Sequence, residues 1–198
     1  MVLPVTIMII AYLMGSVSSA VLVCRALRLE DPRNIGSGNP GATNVLRVHG
    51  KKAAILTLLG DILKGLFPVL IAHAMEVSDL IVALTGLCAF VGHLFPVFFG
   101  FRGGKGVATL IGVLLGTSWL LGLAFIVSWV LVALITRYSS VSGLAASILA
   151  PLYAYFILPA IDYVVVFFVM AILLIWRHQS NIRNLIHGEE TKIRFNKY

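Results

Sequence analysis

The sequence predicts an all-α, polytopic integral membrane bundle on three grounds. Of its 198 residues, 60% are hydrophobic and only 12% charged, and the mean hydropathy of +1.00 lies outside the range of ordinary soluble domains. The apolar residues form runs close to the roughly 20 residues that cross a bilayer as a helix. The charges collect in the connections between those runs and are sorted by sign. A single membrane-embedded domain over residues 1–198 follows, because a bundle of this length leaves no room for a second large domain. Chemistry must then sit on or between membrane helices.

The first apolar run, 4–23, imitates a signal peptide at Ser18 and Ala20. However, no Lys or Arg precedes it and Arg25 and Arg28 follow it, the reverse of a secretory signal. An uncleaved span with its amino end outside is expected. Gly15 with Ser19, and Ser16 with Ala20, place small residues at the spacing used in helix packing. Further runs cover 53–75, 80–99, 107–136, 141–158 and 160–176.

The run at 107–136 decides the topology. If it crossed once, Arg177, Arg183, Lys192, Arg194 and Lys197 would lie opposite the loop holding Arg25, Arg28, Arg33, Arg47, Lys51 and Lys52, against the positive-inside rule. As helix it would extend about 45 Å, and Gly116, Thr117 and Ser118 offer a turn one third along. Split there, the chain has seven segments, an outside amino end and a cytoplasmic carboxyl end. All Lys and Arg but Lys64 then face the cytoplasm, and Glu76, Asp79 and Asp162 remain outside. Lys64 follows Asp61 by three residues within a span, where each charge neutralises the other and structural support is the expected role. Cys24 and Cys88 lie in apolar stretches without ligand spacing and suit packing rather than a disulfide or a metal.

Three loops, 31–52, 92–106 and 177–192, thereby share one face. The first reads GSGNPGATNVLR from Gly36 to Arg47. Its glycines, Gly38 among them, permit positive φ and close backbone approach. Asn39 is a good helix cap with Pro40 at the first helical position. Ser37, Thr43 and Asn44 add neutral donors, and Arg47 supplies a planar fork for phosphate. The second reads GHLFPVFFGFRGGKGVAT from Gly92 to Thr109. It lacks the first glycine and the hydroxyl of a nucleotide P-loop, but Gly103, Gly104 and Lys105 open a helix with Thr109 in its first turn, amides plus a cation at a helix start. His93 sits at the end of the preceding span as either a satisfied polar residue or a site residue. The third reads RHQSNIRNLIHGEETK from Arg177 to Lys192; His178 and Asn181 share a helix face with Arg177 and Arg183 close by. Ser139, Ser140 and Ser142 stand at the same level, where hydroxyls cap a helix or touch substrate.

These three ordered motifs, joined by DILKG at 61–65, resemble the acyl-phosphate-dependent glycerol-3-phosphate acyltransferases of bacteria, the PlsY family, over nearly the whole chain. Glu189 stands where that pattern has Thr. The resemblance implies a multi-pass enzyme of the bacterial inner membrane with its site on the cytoplasmic face. It implies transfer of a fatty acyl group from acyl phosphate to the 1-hydroxyl of glycerol 3-phosphate, giving lysophosphatidic acid and phosphate. It points to Ser37, Arg47, His178 and Asn181 as catalytic residues. Gly38, Asn39, Thr43, Asn44, His93, Gly103, Gly104, Lys105, Thr109, Ser142 and Arg183 are expected around the substrates, with Glu190 structural. Acyl phosphate, glycerol 3-phosphate and membrane lipids are the expected partners of a monomer, with no metal, cofactor or nucleic acid. No His is followed five residues later by Asp, so the HxxxxD acyltransferase chemistry is absent. A transporter for a phosphorylated anion is the other class compatible with an intramembrane Asp and Lys. The gathering of polar groups at one face rather than mid-membrane argues against it.

Overall fold

The computed structural model describes residues 2–193, so Arg194 and Lys197, counted above with the carboxyl tail, lie outside it. Regular structure among these residues is helical: α1 Val2–Gly15, α2 Ser19–Ala26, α3 Ala42–His49, α4 Lys51–Ala74, α5 Asp79–Leu94, a 3-10 turn Val97–Phe99, α6 Val107–Thr117, α7 Trp119–Thr136, α8 Ser139–Ile157, α9 Ile161–Arg177 and α10 Gln179–Ile186. Four stretches, Lys51–Ala74, Asp79–Phe99, Trp119–Thr136 and Ser139–Ile157, are each long and apolar enough to cross a bilayer. The pairs α1 with α2 and α9 with α10 reach that length only as bent units, at 44° and 57°.

The expected single first span is therefore broken. Helix α1 ends at Gly15, which packs so closely on α5 that an added Cβ would lie 2.0 Å from the Ala89 carbonyl oxygen. At the break the Val17 carbonyl is free of the helix ladder and accepts from Lys64 Nζ at 2.7 Å. Lys64 in turn pairs with Asp61 at 2.9 Å. This gives the intramembrane charges a physical reason: an ammonium needs both a counter-charge and an acceptor at such depth.

The run at 107–136 divides where the sequence offers its turn. Ser118 is extended, with φ −158° and ψ 127°, between α6 and α7. Helix α6 is apolar but only 11 residues long, about 16 Å at about 1.5 Å per residue. It survives by burial: at Gly112 a Cβ would stand 1.9 Å from the Ile62 carbonyl oxygen, so the backbones of α6 and α4 touch. Phe90, Leu94, Leu110, Leu114, Phe125, Phe167, Met170 and Leu174 fill the centre of the bundle. Exposed Leu, Ile, Val and Phe cover the outer faces of the long helices, as lipid contact requires.

Candidate active site

The three motif loops meet at one end of the bundle. In the first, buried Asn44 on α3 does the bracing. Its Nδ2 donates to Pro32 O at 2.9 Å and Ile35 O at 3.1 Å, and its Oδ1 accepts from the Ser37 amide at 2.9 Å. Gly36, with φ +66°, lies so close to Asn44 that a Cβ would meet its Oδ1 at 2.3 Å. The helix cap is Gly41, not Asn39, and the helix begins at Ala42 rather than Pro40. The Gly41 amide donates to the Asn39 carbonyl, which turns the chain before the helix begins. Arg47, two turns in, donates through Nη2 to Thr191 O at 3.1 Å.

The second loop lies against the end of α5. A Cβ on Gly103 would fall 2.2 Å from His93 O and 2.3 Å from Leu94 O, and one on Gly104 would fall 2.2 Å from His93 Nε2. The Gly104 amide donates to His93 O at 3.2 Å. Arg177 donates to the Gly103 and Gly104 carbonyls at 2.8 and 3.1 Å. It also lies 5.8 Å from the centres of the Phe95 and Trp176 rings. The expected nest of free amides is thus corrected at Gly104. Its N–H is spent on His93, and these glycines are small because backbone and imidazole crowd them.

The loop instead projects Lys105, whose Nζ donates to Asn181 Oδ1. Asn181 Nδ2 donates to Glu190 Oε1 at 2.8 Å, and Ser140 Oγ donates to the same oxygen at 2.6 Å. Burial lowers the Lys105 pKa below the usual ammonium range; the Glu190 carboxylate opposes that shift, while Arg177 and Arg47 reinforce it. An arriving phosphate dianion would relieve the same-sign crowding. His178, just beyond α9, is 3% exposed. Its Nδ1 is 2.8 Å from Leu174 O. A carbonyl only accepts, so Nδ1 carries the proton and Nε2 keeps its lone pair. Burial pushes the imidazole pKa down to about 4.

Two chambers share Ser37, Asn39, Asn44, Arg47, Lys105, Asn181 and Glu190. One, of about 650 Å³, is polar and adds Gly38, Gly103, Arg177, Ser180, Asn184 and Thr191. The other, of about 390 Å³, adds Thr43, His93, Asp61, Ser139, Ser140 and His178, then continues between Leu58, Ile62, Ile111, Ile126, Trp129 and Val130. Most sequence-expected residues therefore converge. Four do not line either chamber. Thr109 is buried within α6, with its backbone against Gly65 of α4. Ser142 donates to Tyr138 O at 2.8 Å, Arg183 is exposed on α10, and Gly104 stands behind Lys105 against His93.

Arg177, Glu190, Asp61, Ser180, Asn184, Thr191 and the apolar lining are among the lining residues that the sequence reading did not name as catalytic or substrate-binding. Arg177 adjoins His178 and Glu190 belongs to the third motif, so position offered a signal for both. Trp129 and its neighbours resemble any lipid-facing helix residue, and only the packing of α4, α6 and α7 brings them to the edge of one chamber.

The family model for glycerol-3-phosphate acyltransferase matches residues 5–188. A glycerol-3-phosphate acyltransferase of Thioalkalivibrio sulfidiphilus is 57% identical over 92% of this chain and 90% of its own. One of Methylococcus capsulatus is also 57% identical, over 92% of each chain. The crystal structure of PlsY (YgiH), an integral membrane glycerol 3-phosphate acyltransferase, in its glycerol 3-phosphate form superposes with a TM-score of 0.91 at 38% identity, over 96% of both chains. Its lysophosphatidic acid form gives 0.89 at 37% identity, over 96% of this chain and 94% of that one.

Proposed function

This chain belongs to the glycerol-3-phosphate acyltransferase family and is an acyltransferase acting on glycerol 3-phosphate; from that premise we propose that its donor is a fatty acyl phosphate and that its product is lysophosphatidic acid. The observation that carries this reading is the continuity of the two chambers. Both substrates bring phosphate, and the donor alone brings a long acyl chain. A polar chamber with Arg47, Arg177 and Lys105 suits the phosphates. The apolar extension toward Ile126 and Trp129 suits the chain.

In the proposed step the 1-hydroxyl oxygen attacks the acyl carbonyl carbon. A new C–O ester bond forms, the bond from that carbon to the phosphate oxygen breaks, and inorganic phosphate leaves. An acyl phosphate is a mixed anhydride with a good leaving group, so no covalent enzyme intermediate is needed. The protein's work is to hold both reactants and stabilise developing negative charge. Ser37, Arg47, Lys105 and Asn181 surround the shared part of the chambers and supply donors for that charge. The hydroxyl proton goes to a substrate phosphate oxygen. With its second ionisation at about pH 6, phosphate is a stronger base than an imidazole pushed down to about 4. His178 Nε2 accepts a hydrogen bond from the neighbouring 2-hydroxyl of glycerol 3-phosphate, and so aims the 1-hydroxyl, whose own proton faces the phosphate.

The same reading places the enzyme in the bacterial inner membrane as a monomer of seven segments. The chambers then open to the cytoplasm, where glycerol 3-phosphate is dissolved, and to lipid, which supplies the acyl donor. The direct test is product formation in detergent from palmitoyl phosphate and glycerol 3-phosphate, with palmitoyl thioesters as competing donors. Lysophosphatidic acid and stoichiometric phosphate are expected from acyl phosphate. Turnover with thioesters alone would refute the donor assignment.

A further inference from the structure

We propose that the buried pair Asp61 and His93 positions Lys105 for the substrate phosphate, acting through the Gly103–Gly104 backbone rather than by reaching the reacting atoms. Asp61 and His93 come from different spans, α4 and α5, and are 2% and 6% exposed. The ordinary explanation of Asp61 is its ion pair with Lys64 at 2.9 Å, which braces the break in the first span through Val17. That explanation is incomplete. The carboxylate oxygen that meets Lys64 also faces His93 Nδ1 at 3.7 Å, and His93 Nδ1 is buried without a hydrogen bond of its own.

His93 meets the second loop twice. Its carbonyl accepts from the Gly104 amide at 3.2 Å, and its Nε2 stands where even a methyl group on Gly104 would collide, at 2.2 Å. The opposite side of the same two glycines is held by Arg177. Gly104 is thus clamped between Arg177 and His93, and Lys105 is the next residue. A lysine ammonium rides on four flexible carbons, so the position of its backbone decides where the charge is offered. A carboxylate 3.7 Å from Nδ1 favours the tautomer protonated there by charge, which leaves the Nε2 edge toward Gly104. The pair is therefore assigned as two positioning residues for Lys105. The inference rests on the reading that Lys105 receives a substrate phosphate.

The test uses the full-length enzyme in detergent, with steady-state kinetics, calorimetric binding of glycerol 3-phosphate, and thermal unfolding. In the double variant Asp61→Asn/Lys64→Gln neither ion is left unpaired and the glutamine amide can still donate to the Val17 carbonyl, so the fold should hold, with a transition within about 5 °C of wild type. If Asp61 served only Lys64, that variant would have wild-type kinetics. Positioning instead predicts a rise in KM for glycerol 3-phosphate on the order of 10-fold to 100-fold, shared by His93→Gln. In a Lys105→Arg background, His93→Gln should then add little, because both changes act on one contact. Wild-type kinetics in the double variant, or losses from His93→Gln and Lys105→Arg that multiply, would overturn the proposal. If the double variant fails to fold, His93→Gln decides, since it leaves the Lys64 ion pair intact. Wild-type binding and turnover in Lys105→Arg alone would instead remove the premise that this lysine holds phosphate.

Discussion

The Nδ1 proton of His178 is committed to Leu174 O, so the chamber sees only the lone pair of Nε2, and burial keeps that nitrogen unprotonated down to about pH 4. Two consequences are measurable. Above the folded pKa the imidazole is neutral, so between pH 5 and 8 it does not titrate and the acid limb of kcat/KM should follow the substrate phosphate at about 6. Activity falls as pH drops through that value because the dianion is consumed. His178→Gln should lower kcat, since the aiming contact is lost, while the acid limb stays in place. Disappearance of that limb in the variant would make His178 the titrating base. Asn44 sets a second residue-scale expectation. It holds Pro32 O, Ile35 O and the Ser37 amide from a buried position. Asn44→Ala leaves Pro32 O and the Ser37 amide without partners, at about 1 kcal/mol each, while Ile35 O keeps the Gly38 amide. Unfolding should occur several degrees lower, and KM should rise as the Ser37 loop loosens; an unchanged melting curve would contradict the bracing role. Arg47 differs, because it is exposed and lines both chambers. Arg47→Ala should reduce kcat/KM by on the order of 10²-fold, the scale of removing one transition-state donor, with little change in unfolding temperature.

At the scale of elements, the second loop shows what was legible and what was not. The glycines at Gly103 and Gly104 were readable as positions that tolerate no side chain, and Lys105 as a cation beside them. Their neighbours were not, because the atoms that crowd them belong to α5 and α9 and meet them only after the bundle closes. Pattern reading assigned the missing Cβ to an anion; the fold assigns it to His93 and Leu94. Gly103→Ala should therefore lower thermal stability and activity together, since a methyl group must displace two carbonyl oxygens at 2.2 and 2.3 Å. Loss of phosphate affinity with full stability would restore the anion nest instead. The division of 107–136 was legible for a related reason. Charge sorting demanded an extra segment, and Ser118 supplies the extended residue that makes it. The break in the first span was not legible, because Gly15 and Ser16 read as packing residues, and only Lys64 reveals that the Val17 carbonyl lies open.

For the molecule as a whole, one arrangement makes a 16 Å helix tolerable in a bilayer of about 30 Å hydrocarbon thickness. Helix α6 is enclosed by α4, α5 and α7, so its short length is met by protein rather than by lipid. Trp119, 71% exposed, stands beside the turn from α6 to α7, and in the proposed topology it would serve as an interfacial aromatic. The proposed seven-segment topology has the loops of α3, Lys105 and α10, which meet at one end of the bundle, facing the cytoplasm together. The topology is checked with single cysteines in a background lacking Cys24 and Cys88. Cysteines at Ser78, the cap of α5, and Asp162, in the first turn of α9, should react with an impermeant thiol reagent in sealed spheroplasts. Cysteines at Asn34 and Lys51, both exposed, should react only after permeabilisation. The decisive position is Asn184 on α10, a lining residue of the polar chamber. Protection there in sealed cells, with labelling after permeabilisation that glycerol 3-phosphate slows, would place the chamber and its ligand on the cytoplasmic side. Labelling of Asn184 from outside would put the whole chamber, whose three loops touch through Arg47, Lys105 and Asn181, on the outer side and overturn the proposed orientation.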